Sequence, residues 1–163
     1  MVQKLIELIT NPVFFSAGAS WFTAQVLKTV ITIIKNRGFS PEALVASGGM
    51  PSTHTAMVTG LTVSAFLTYG PGGFEFPMAF FFAMVVIYDS RKVRYETGLQ
   101  GKILNHIAHR ERSRDTDPYF KTVPVLDEAA GHTSAEVAAG LALGTVVALA
   151  ACCVIVPALQ SLF

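Results

Sequence analysis

The sequence predicts an all-α, polytopic membrane helical bundle of about four transmembrane helices, with a long polar loop between the third and fourth. Three observations carry that prediction. Of 163 residues, 52% are hydrophobic and only 14% are charged, whereas a soluble domain carries about 25% charge, so too few polar side chains exist to coat a water-facing surface. Mean hydropathy is +0.50. Long uncharged stretches alternate with short polar ones, and most of the charge is gathered in one internal segment. At this length a single integral membrane domain over residues 1–163 is expected.

A bilayer core about 30 Å thick takes about 20 helical residues, because lipid cannot satisfy exposed backbone groups. Four stretches answer to that length. The first covers residues 12–34 with one charge, Lys28, and the last covers 137–159 with none. Between them, 50–69 is uncharged but dotted with Ser, Thr and Gly, and 74–88 is aromatic-rich and short. Tyr69-Gly70-Pro71-Gly72-Gly73 separates these two as a chain reversal, which predicts a helical hairpin. The 42 residues 89–130 begin as a continuation of the third helix and end in an irregular polar segment, with Asp115-Thr116-Asp117-Pro118 as the loop. In the last span, Gly140-x-x-x-Gly144 would let two backbones approach closely. The adjacent Cys152 and Cys153 are read as filler, since neighbouring cysteines rarely meet disulfide geometry. The first apolar run lacks a basic leader and a small-residue cleavage site, so the N-terminus is expected to be retained.

Formal net charge is +1, which argues against strong attraction to nucleic acid. Distribution says more than the sum. Of twelve Lys and Arg residues, eleven lie between Lys28 and Lys121 and none lies in the Gly-Pro turn. With four crossings, the basic segments share one side and the termini share the other. The positive-inside rule then puts the basic side in the cytoplasm of a cell (inner) membrane, or its organellar equivalent.

Four features converge on that basic face. Lys28 lies about 10 Å deeper than Lys35 along an ideal helix, where a charge costs roughly 2.5–3.5 kcal/mol on insertion scales. It either snorkels to the interface or points inward at a bound anion, with Gln25 one turn away on the same face. Ser47-Gly48-Gly49-Met50-Pro51-Ser52-Thr53-His54 combines a permissive backbone with hydroxyls at a helix start, either an ordinary cap or an anion cradle in which His54 protonates a leaving oxygen. Asp89-Ser90-Arg91-Lys92-Val93-Arg94 offers two guanidinium groups three residues apart, either anchors paired with Asp89 or forked donors to phosphate, with Gln100 and Asn105 extending the polar face. Gly131-His132-Thr133-Ser134-Ala135-Glu136 puts a histidine and a carboxylate on neighbouring turns, either a cap with a local ion pair or an oriented nucleophile. His106 and His109 read as a solvated helical face.

These residues resemble the divergent branch of the type 2 phosphatidic acid phosphatase superfamily, whose relatives include membrane lipid phosphatases and vanadium haloperoxidases. The resemblance spans most of the chain and rests on Gly48 to His54, on the 89–100 stretch with Val93-Arg94 and Gly98-Leu99-Gln100, and on Gly131-His132 with Glu136-Val137. The wider superfamily has a lysine separated by six residues from an Arg-Pro pair, a Pro-Ser-Gly-His motif, and a Ser-Arg pair followed by a histidine and an aspartate. Here Lys35-Asn36 stand for Arg-Pro, and Thr53 replaces the glycine of the second motif. Thr97 occupies the position of the third-motif histidine, so the resemblance implies that His132, with Glu136, replaces it after a long insertion.

The resemblance implies metal-independent hydrolysis of a lipid phosphomonoester without a cofactor. His132 would be the nucleophile, His54 the acid and base, and Glu136 the orienting group. Lys28, Arg94, Arg91, Lys35, Ser52 and Thr53 would hold the phosphate, with Asp89, Gln100 and Gln25 in support. Cations dominate where a magnesium enzyme would cluster carboxylates. Expected partners are a lipid phosphate, bilayer lipids and, for so short a bundle, a second copy of the chain. Rival readings are a non-enzymatic membrane protein that binds phospholipid headgroups or permeates anions, and a haloperoxidase holding vanadate in the same cradle.

Overall fold

A computed structural model describes residues 1–38, 48–114 and 117–161. Of the described residues 81% are helical, and none lies in a strand. A short α1 (Val2–Ile9) precedes α2 (Pro12–Asn36), whose start follows from its sequence. Asn11 Oδ1 accepts from the Val13 and Phe14 amides at 3.0 Å each, and Pro12 fills the first helical position. Helices α3 (Thr53–Tyr69) and α4 (Glu75–Tyr88) form the expected hairpin, with Gly70 closing α3 at φ 74°.

The expected continuation past Tyr88 is a single helical rod. A π-helical turn, Asp89–Val93, joins α4 to α5 (Arg94–Arg114), so helix persists from Glu75 to Arg114, about 60 Å at 1.5 Å per residue. After α6 (Tyr119–Thr122) the chain returns without regular structure to α7 (Ser134–Ala150), which continues through a second π-helical turn, Ala151–Ile155, into α8 (Val156–Gln160). Among the described residues two runs, Pro12–Asn36 and Ser134–Gln160, are long and apolar enough to cross a membrane. Taken alone, α4, at 14 residues, falls short of a full crossing, and α3, at 17, stands at the lower limit.

Helix α3 is the hub, packed against α2, α4 and α7. Its contacts are made by small and hydroxyl side chains: Thr55, Ala56, Thr59, Gly60 and Ser64 are buried, and so are Ser16, Ser20 and Ala24 of α2. Large apolar side chains point outward instead, among them Phe22, Phe81, Val85, Val146 and Val154. That inversion of the soluble pattern suits a lipid solvent, where close backbone packing rather than apolar burial holds helices together. The Gly140 and Gly144 pair acts as expected. A Cβ on Gly140 would lie 2.7 Å from the Ser52 carbonyl oxygen, and one on Gly144 would collide with the Ala56 carbonyl oxygen and sit 2.8 Å from Thr59 Cβ. Gly144→Leu is therefore expected to drive α7 off α3 and cost about 3 kcal/mol or more, measured as a lowered melting temperature in detergent.

Cys152 and Cys153 are free thiols, with Cys152 Sγ 3.6 Å from Ser16 Oγ. Ser47 of the glycine-rich cradle, and Asp115 and Thr116 of the expected loop, lie outside the described residues.

Candidate active site

Three segments far apart in the chain are pinned to one another through main-chain hydrogen bonds. The His132 amide donates to the Ser90 carbonyl in the π-helical turn at 2.9 Å, and the Ser52 amide donates to the Glu136 carbonyl at 3.1 Å. Helix α7 begins beside both junctions. Thr133 caps it, with Thr133 Oγ1 accepting from the Glu136 amide at 3.4 Å and Glu136 Oε2 accepting from the Thr133 amide at 2.9 Å, a reciprocal capping box. The same Oε2 lies 3.2 Å from His132 Nδ1. His132 is buried, 4% exposed, and its Nε2 has no hydrogen-bond partner among the described residues.

Lys28, 3% exposed, faces the protein rather than the lipid. Its stem passes Gly49, which adopts φ +105° and whose added Cβ would lie 3.4 Å from Lys28 Cε. The Lys28 ammonium is within electrostatic reach of Glu136. His54, exposed in the first turn of α3, lies within electrostatic range of Arg94, His132, Lys28 and Asp89. Residues from α2, α3, the π-helical turn, α5 and the α7 entrance thus meet at one rim of the bundle.

The two arginines part company. Arg94 Nε donates to Asp89 Oδ2 at 2.7 Å, which holds it near His54. Arg91 donates from Nε and an Nη to Ser134 Oγ at 3.1 and 2.8 Å. Ser52 Oγ accepts from the Thr55 amide at 3.3 Å and the Thr55 hydroxyl at 2.9 Å, so this hydroxyl caps α3 as an acceptor. The Thr53 and His54 amides, which precede the first intrahelical bonds, are the donors at that turn with no partner among the described residues. Thr53 itself is buried, and Gln25 is half-buried one turn before Lys28. Lys35 and Gln100 are both exposed, and neither is among the groups acting on His54. Two helical turns beyond Lys28, Lys35 has left the packed part of α2. His106 and His109 are exposed, and no group of three metal-ligating side chains occurs among the described residues.

Sequence reasoning missed Ser134 and the Ser90 carbonyl. A hydroxyl beside a capping threonine is a faint signal, and a carbonyl has none. Next to His132 opens a groove of about 730 Å³, lined by Met84, Ile87, Tyr88, Arg91 and Tyr95 among others. It is apolar along α4 and polar at His132 and Arg91.

A model of the Divergent PAP2 family matches residues 9–147. The chain belongs to that family. The matched span contains all three pinned segments, and the protein is a membrane protein of the PAP2 superfamily. This Divergent PAP2 chain is 33% identical over 102 residues to the uncharacterized membrane protein YuiD of Bacillus subtilis (strain 168), a match covering 63% of the chain and 65% of that relative. No solved structure matches it.

Proposed function

We propose that this protein hydrolyses the phosphomonoester of a membrane lipid through a phosphohistidine. The observation that carries the reading is His132, fixed through Nδ1 by Glu136 and within electrostatic range of His54, which Lys28 and Arg94 also reach. A pocket that only binds headgroups needs cations and donors; a pair of imidazoles, one of them oriented by a carboxylate, is what displacement at phosphorus needs.

In the first step His132 Nε2 attacks phosphorus and the bond to the lipid oxygen breaks, while His54 gives a proton to the departing alcohol. In the second, His54 takes a proton from water as that water attacks, the P–N bond breaks, and inorganic phosphate leaves with His132 restored. Lys28, Arg94 and the Thr53 and His54 amides hold the equatorial oxygens through both steps. Arg91, held by Ser134 at the groove mouth, guides the headgroup inward.

The groove along Met84, Ile87 and Tyr88 suits a substrate whose tail stays apolar while its phosphate reaches His132. Four crossings follow if α3 and α4 complete the span together with α2 and α7. The basic rim then faces the cytoplasm. Purified protein in chelator is expected to release phosphate from phosphatidic acid, phosphatidylglycerol phosphate or a polyprenyl phosphate. Its kcat/KM for the best of these should exceed that for glycerol phosphate by about tenfold or more. Saturable lipid binding with no phosphate released from any of them would make the protein a headgroup binder.

A further inference from the structure

The nucleophile that this reading assigns to His132 stands after a long excursion of the chain, and the structure contains a device that brings it back. Residues 126–131 run antiparallel to α5 in a notch made by two glycines. A Cβ on Gly101 would lie 3.1 Å from the Asp127 carbonyl oxygen, and one on Gly98 would lie 2.7 Å from that of Ala130. The strap also touches the anion cradle, since a Cβ on Gly48 would be 2.8 Å from the Ala129 carbonyl oxygen. Gly131, at φ +86°, sits against the Arg94–Tyr95 backbone, where any side chain would collide with the Tyr95 amide. The next residue is His132.

One side chain fastens the upper end of this strap. Asn105 Nδ2 donates to the Leu126 carbonyl at 2.9 Å and to Glu128 Oε1 at 2.8 Å, and Asn105 Oδ1 accepts from the Leu126 amide at 2.9 Å. A primary amide reading both the N–H and the C=O of one residue imposes register as well as proximity. Slippage of one residue would turn Leu126 away and feed a different residue to the Ser90 carbonyl.

We infer that Asn105, about 16 Å along α5 from Arg94, is a positioning residue that sets the reach of His132 by latching the strap in register. The inference rests on the proposed hydrolysis for its kinetic consequence, but not for its structural one. Lys28 and His54 are carried by α2 and α3, and Arg94 by α5 itself, the helix to which the strap is latched. Loosening the latch should therefore displace the attacking imidazole and leave the anion-binding cations in place.

Asn105→Ala, which removes all three bonds, is expected to lower kcat ten- to about a hundredfold, the order of loss for a roughly 1 Å misplacement. KM and inhibition by inorganic phosphate should stay within about twofold of the parent. Asn105→Asp keeps the acceptor for the Leu126 amide but sets a carboxylate beside Glu128, and should fall between the two. Ring-¹⁵N spectra of histidine-labelled protein give a second readout, with the His132 signal assigned by its loss in His132→Ala. That signal should shift or broaden in Asn105→Ala while the His54 signal holds. An unmoved His132 signal with kcat within twofold of the parent would overturn the latch, as would kcat and phosphate affinity falling together with the melting temperature. If the parent protein turns over no lipid phosphate, the proposed reaction fails, and the His132 ring signal alone still decides the latch.

Discussion

His132→Ala is expected to stop phosphate release, with kcat lowered by at least about 10³-fold, while the protein remains folded. Hydrolysis through a covalent intermediate has no route without the attacking nitrogen, and the flanking cations and amides alone supply only residual rate. Folding should survive because the local architecture is built from main-chain and neighbouring groups. The amide of residue 132 still reaches the Ser90 carbonyl, and Thr133 and Glu136 still cap α7. What is lost is one buried ring, about 1–3 kcal/mol of packing. Label from a ³²P-lipid phosphate should be trapped in acid-labile form on the parent protein and not on the variant. His54→Ala makes the complementary case. A proton donor contributes about 10²–10⁴-fold when the leaving group is an alkoxide, and far less when it is an activated phenolate. The His54→Ala defect should therefore shrink with an aryl phosphate and the His132→Ala defect should not. Undiminished turnover in His132→Ala would remove the nucleophile from this histidine.

The helices were legible because lipid leaves the chain few options. Asn11-Pro12 opens α2 and Gly70 closes α3 by local chemistry that any reader of the sequence can apply, and the spans at 12–34, 50–69 and 74–88 land within a few residues of α2, α3 and α4. The unbroken helix from α4 into α5 was less visible past its start. Charge at Asp89 to Arg94 marks the exit from an apolar medium, and says little about whether the helix stops. Ser52 carried two readings at once, cap and phosphate donor, and only geometry gives its oxygen to Thr55. Lys35 satisfies a motif spacing, and spacing does not tell that its side chain is exposed. The glycine notch and Asn105 were least legible, because Gly98, Gly101 and Asn105 in a polar helix gain meaning only when the returning segment is laid against them.

Glu136 carries the second large effect, and two substitutions separate its duties. A single carboxylate oxygen serves both the Thr133 amide, at 2.9 Å, and His132 Nδ1, at 3.2 Å. Glu136→Gln can place its carbonyl oxygen at that point and keep both bonds, since glutamine also completes a capping box; what it removes is charge. A unit charge about 4 Å away at an effective dielectric of about 20 is worth about 4 kcal/mol, reduced here because the carboxylate is partly exposed, 20% at its side chain. Glu136→Gln is accordingly expected to lower kcat about 10²-fold with the melting temperature unchanged. The apparent affinity for phosphate should hold or improve, because Lys28 loses a fixed anion within its electrostatic range. Glu136→Ala forfeits charge, orientation and cap together, so kcat should drop by at least about 10³-fold and stability by about 1 kcal/mol. Parent-like kcat in Glu136→Gln would reduce this carboxylate to a helix cap, and a loss as deep in Gln as in Ala would mean that charge alone, rather than the aim of the imidazole, sets the rate.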